Sequence, residues 1–106
     1  MKTAKISDMT LGWFIGDFSP SIFKTKDFEM ALKEYKKGDC EERHLHKIAK
    51  EVTLIAQGKV KMNDIIYSEG DIILIDQGES TDFLAIEDTK TVVVKFPSVI
   101  GDKYIV

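Results

Sequence analysis

GDCEERHLHKIAKE, residues 38–51, holds both histidines of the 106-residue chain, two positions apart, with a glutamate five positions after the second. Two residues is the repeat of a β-strand, so an extended segment sends His44 and His46 out of one face toward a common point. Such a pair is a ligand arrangement; the bland alternative is a surface His-x-His without a role. The surrounding sequence has to decide between them.

Downstream the text is short apolar runs broken by turn residues. VTLIA (52–56) ends at Gln57-Gly58, and KVKM (59–62) meets IIYS (65–68) across Asn63-Asp64. DIILI (71–75) stops at Asp76-Gln77-Gly78, DFLAI (82–86) leads to a turn at 87–90, and TVVVKF (91–96) is closed by Pro97. Runs of strand length, rich in β-branched residues and evenly punctuated by turns, predict an all-β antiparallel sandwich or barrel rather than βαβ units. Residues 28–37, FEMALKEYKK, conflict with this: Phe28, Ala31, Leu32 and Tyr35 fall at i, i+3, i+4 and i+7, a helical spacing. As a strand, the same segment puts Phe28, Met30 and Leu32 on one face, with Gly38-Asp39 turning into the histidine segment.

The composition is that of a folded domain, with 43% hydrophobic and 31% charged residues. A net charge of −3 argues against nucleic acid, which needs a concentrated Lys/Arg surface. The run Lys33, Lys36, Lys37 is broken by Glu34 and reads as a solvated face. Cys40 is the only cysteine, which makes a reducing, cytoplasmic setting the expectation. No apolar run has the length of a membrane span, so no membrane is expected as a partner. One domain, 1–106, is expected, with residues 1–22 as an arm or covering strand whose Trp13 and Phe14 could serve a homodimer interface.

Taken together, Gly38-x5-His44-x-His46-x4-Glu51-x6-Gly58 matches the first signature motif of the cupin superfamily, G-x5-H-x-H-x(3,4)-E-x6-G, at every fixed position. The second motif, G-x5-P-x-G-x2-H-x3-N, falls in register on Gly70-x5-Asp76-x-Gly78-x2-Thr81-x3-Ala85, keeping the glycines and lacking the proline, histidine and asparagine. The chain thus resembles a minimal single-domain cupin. That resemblance implies a double-stranded β-helix, a jelly-roll barrel, and it turns the expectation for residues 28–37 to a strand.

It also implies a divalent metal (Fe, Zn, Mn, Ni or Cu) held by His44, His46 and Glu51, two imidazoles and a carboxylate that leave positions open for substrate. The fourth ligand position falls on Thr81, with Asp82 beside it; a neutral hydroxyl is a poor ligand, and a one-residue shift aims Asp82 to the opposite face. Tyr35, Cys40 and Tyr67 are weaker candidates for lining the pocket. The expected function is a metal-binding cupin acting on a small polar metabolite such as a sugar or sugar nucleotide, by isomerase, lyase or oxygenase chemistry. The alternative is a metal-free module that binds a small ligand for sensing or regulation.

Overall fold

The apolar runs become strands. The computed structural model describes residues 1–106 and contains β1 (Trp13–Ile15), β2 (Glu29–Tyr35), β3 (Cys40–Leu45), β4 (Lys50–Gln57) and β5 (Lys59–Met62). They are followed by β6 (Ile65–Ser68), β7 (Ile72–Ile75), β8 (Thr81–Ala85), β9 (Thr89–Phe96) and β10 (Tyr104–Ile105). One antiparallel sheet runs β1-β2-β9-β4-β7 and the other β10-β3-β8-β5-β6, the two layers of a double-stranded β-helix. A three-residue 3-10 turn, Ile6–Asp8, is the one helical element.

The segment with helical spacing is β2. Its backbone pairs with β9 over seven residues on one side and with β1 on the other. Ten residues form at best a marginal helix alone, so hydrogen bonding on two edges overrides the local propensity. Asn63 and Asp64 adopt φ of 50° and 65° between the paired Met62 and Ile65, the left-handed backbone that a two-residue hairpin requires and that these residue types tolerate. Gly12 has φ of 83°, and a Cβ there would run into the carbonyl of Leu32, so glycine is what lets β1 lie close against β2.

Between the layers, Ile55, Val60, Met62, Ile75, Phe83 and Ala85 form the apolar core, with Tyr35, Tyr67 and Ile73 packed on it. Complete burial of Ile55 and Val60 contributes about 1.5–3 kcal/mol each. The first sheet is otherwise inverted in polarity. Its inner face carries rows such as Glu29–Lys95–Glu51 and Lys33–Thr91–Ile55, cross-strand neighbours on β2, β9 and β4. Its outer face carries Met30–Val94–Val52–Leu74 and Leu32–Val92–Leu54–Ile72, two apolar rows across four strands. No helix of the chain is long and apolar enough to cross a membrane.

Candidate functional site

The inner face of the first sheet and β3 and β8 of the second enclose a cavity of about 100 Å³. His44, Glu51, Tyr35, Glu41 and Thr81 line it, together with three lysines and Trp13. Glu51 reaches it because Glu51, Thr53 and Ile55 alternate inward along β4, with Thr53 and Ile55 buried.

His44 arrives by a different device. Along β3, Glu41 pairs with Phe83 and His44 with Thr81, so three residue steps on β3 oppose two on β8. This bulge takes up the extra residue between Glu42 and Arg43 and turns both Glu41 and His44 into the cavity. Arg43 is left outside, where its guanidinium meets Asp82 at 3.0 Å.

The two imidazoles lie edge to face with ring centroids 5.3 Å apart. His44 Nδ1 is 2.8 Å from the Glu42 carbonyl oxygen, and the Nδ1–H tautomer that donates this bond leaves Nε2 with its lone pair. His46 is 8% exposed, and its Nε2 is buried without a hydrogen-bond partner. Burial, reinforced by the positive charge of Lys95, pushes the His46 imidazole down to about 4, so it is neutral at physiological pH. Its ring sits behind the main cavity, in a pocket of about 10 Å³ shared with His44, Glu51 and Thr81. Burial likewise raises the Glu51 carboxyl above its usual range, against the pull of Lys95 and of the Thr53 hydroxyl that donates to it at 3.1 Å.

Asp102 braces the turn after His46. Its carboxylate accepts the backbone N–H groups of Lys47 at 3.0 Å, Ile48 at 3.1 and 3.2 Å, and Ala49 at 2.9 Å. The following residue, Lys103, lines the cavity, and β10 then pairs with His44 and Leu45 of β3.

The candidate residues therefore separate. His44, Glu51, Thr81 and Tyr35 meet at the cavity, and His46 lies just behind it. Asp82 points outward to Arg43 and to the Asn63 backbone N–H. Cys40 is exposed at the start of β3 rather than pocket-lining, and Tyr67 packs on the apolar core. Lys33, expected on a solvated face, lines the cavity instead, and Trp13 lines it as well.

Spacing could not single out Lys33, Lys95, Lys103, Trp13 or Asp102. Alternation does put Thr91, Val93 and Lys95 on one face of β9, but with apolar residues on both faces it does not say which one is inside. As a divalent-ion site the donor set is incomplete: no three His, Cys, Asp or Glu side chains converge on one point, and the fourth motif position offers a hydroxyl. The two imidazoles have the chemistry of ligands, but they and Glu51 are not gathered around a single point.

No protein-family model matches the sequence, and no curated protein matches it. Solved structures do match the fold. A Klebsiella pneumoniae protein with a double-stranded β-helix domain superposes with a TM-score of 0.69 at 19% identity, over 76% of this chain and 71% of that one. A cupin-superfamily sugar phosphate isomerase from Silicibacter pomeroyi gives 0.61 at 18% identity, over 66% and 50% of the two chains. Oxalate decarboxylase from Bacillus subtilis, which has Mn(II) centres, gives 0.66 at 17% identity, over 77% of this chain and 25% of that one.

Proposed function

Since the chain has the fold of the cupin superfamily, with the first signature motif complete, we propose that its barrel binds a small polar metabolite and that His44 meets this ligand directly, without an intervening metal ion. The carrying observation is the cavity of about 100 Å³ with His44, Glu51, Tyr35 and Thr81 on its walls. Clefts for drug-sized ligands run to roughly 300–1,000 Å³, so this volume favours a molecule of a few carbons and disfavours a sugar nucleotide. The sugar phosphate isomerase among the structural neighbours supports a sugar-like skeleton and a role in carbohydrate metabolism.

The test is a panel of small sugars, polyols and hydroxy acids titrated against protein with labelled histidine, following the His44 and His46 imidazole signals. Saturable shifts of His44 are expected, and their absence across the panel would sink the reading. Metal content by plasma mass spectrometry, on protein prepared without tag or chelator, accompanies it. Near-stoichiometric metal that disappears in a His44→Ala/His46→Ala variant would replace direct contact with a metal-dependent site.

The two outer apolar rows of the first sheet support pairing with a second copy of the chain. Ile72 and Leu74 within them are 70% and 57% exposed. Phe14, rather than Trp13, borders this face, beside Ile22 and Leu32. The lone exposed Cys40, with no partner for a disulfide, supports a reducing cytoplasmic setting.

A further inference from the structure

Three lysines line the cavity: the half-buried Lys33 on β2 and Lys95 on β9, and the exposed Lys103 just before β10. Ion pairing does not account for them. The chain's ion pairs within 4.0 Å use Arg43, Lys50 and Lys90, all at the outer surface. Two of the three instead converge on one ring: Lys33 Nζ is 5.6 Å and Lys95 Nζ 5.0 Å from the centroid of Trp13. An indole face partly offsets the cost of holding two like charges in a half-buried space, but it offers no hydrogen-bond acceptor to the N–H donors.

On the same wall, Thr91 is the cross-strand partner of Lys33, is 1% exposed, and has a buried hydroxyl with no partner. Buried polar groups are ordinarily satisfied, so the cavity holds unspent donors of both kinds, charged and neutral. Desolvation lowers the Lys33 ammonium from its ordinary range, helped by Lys95 and Lys103 and opposed by Glu41. A negative charge entering the cavity would relieve that strain.

Building on the ligand-binding reading above, we infer that the cavity takes a small hydroxylated oxyanion, a carboxylate or phosphate ester of a few carbons, with its anionic group against Lys33, Lys95 and Lys103 beneath Trp13 and its hydroxyls toward Thr53, Thr81 and Thr91. Lysine suits this role because an ammonium is a compact point charge with three movable donors, adaptable to either anion. The carboxylates of Glu41 and Glu51 on the same walls select for hydroxyl donors on the remainder of the skeleton and repel a second acid group there.

Trp13 is the only tryptophan, so its fluorescence reports directly on the ring between the two lysines. Glycerol, glycerate and glycerol 3-phosphate share a three-carbon skeleton and differ in the anionic group. Each is titrated at low and high salt, with the His44 imidazole signal followed in parallel. Saturable Trp13 changes are expected with at least one of the two anions, weakened by salt. Stronger binding of glycerate identifies a carboxylate site, and stronger binding of glycerol 3-phosphate a phosphate site.

Lys95→Met and Lys33→Met should each weaken that binding by about tenfold to a hundredfold, the loss of a charged hydrogen bond. Lys90→Met, on the outer face, should not change it. If Lys95→Met does not fold, Lys33→Met decides alone, because a half-buried ammonium is readily replaced by an apolar side chain. Equal binding of glycerol and the anions at His44, or unchanged anion affinity in Lys33→Met, overturns the oxyanion inference and leaves the ligand-binding reading standing. No response of either reporter to any of the three overturns both.

Discussion

Glu51 and Lys95 are direct cross-strand partners on β4 and β9, both turned into the barrel, and their charged ends stay outside ion-pairing distance. The carboxylate is thus buried without full compensation. Its pKa is raised in the folded chain, so folding costs free energy above the unfolded carboxyl's titration, and that cost fades once acid protonates both states. Glu51→Gln should therefore be more stable than the parent at pH 7, by about 1 kcal/mol, with the gain shrinking as pH falls through the raised folded value and largely gone by about pH 4. Urea unfolding at both pH values measures it, and a loss of stability at pH 7 would contradict it.

Asp102 works in the opposite sense. Burial alone would raise its carboxyl pKa, but the amides of Ala49, Ile48 and Lys47 outweigh burial and hold it below the usual carboxylate range. A depressed folded pKa gives stability that is complete above the unfolded value and is lost as pH falls through the folded one. Asp102→Asn should cost roughly 1.5–3 kcal/mol at neutral pH, since an amide accepts on one oxygen and turns an N–H toward the turn's own donors. The gap between parent and variant should close under strong acid; a gap that is constant with pH would assign the loss to shape rather than charge.

His46 should remain neutral well below the range in which a solvent-exposed histidine titrates. Its imidazole, held down to about 4 first by burial and then by Lys95, is deprotonated in the folded chain between pH 6.5 and 4, where an unfolded histidine takes up a proton. Over that window stability falls as the solution is acidified. Nitrogen chemical shifts of the ring across the titration check the assignment, and a midpoint near 6.5 would refute it.

Replacing Ile72 and Leu74 with lysine tests the outer face of the first sheet. Both side chains are largely exposed, so the double variant should change stability by only about 0.5 kcal/mol per site. Sedimentation should show a dimeric parent and a monomeric variant. A parent that sediments as a monomer at micromolar concentration would remove the pairing.

The sequence disclosed more of the fold than of the site. Hairpins such as β5–β6 were legible because Asn63-Asp64 sits between two β-branched runs, and the histidine pair because its spacing is that of a strand. β2 was ambiguous, since Phe28, Ala31, Leu32 and Tyr35 satisfy a helix as well as a strand, and only pairing with β1 and β9 resolves it. The lysines of the cavity were hidden for a different reason. Pattern reading assumes that polar residues face solvent, and in β9 Lys95 and Thr91 face inward while Val92 and Val94 face out. Asp102 gave no signal, because its partners are backbone amides more than fifty residues away.

The bulge in β3 also means that chain length, as well as residue identity, encodes the cavity wall. Three residues apart, Glu41 and His44 would fall on opposite faces of a regular strand, and the bulge is what brings both to the cavity. Removing Glu42 would leave them two residues apart, on one face of a strand that pairs with β8 in regular alternation and has no bulge. The same wall is thus reachable at two spacings, three residues with the bulge or two without it. A chain with the longer spacing could keep every named side chain of this site and still lose it if the bulge were straightened out.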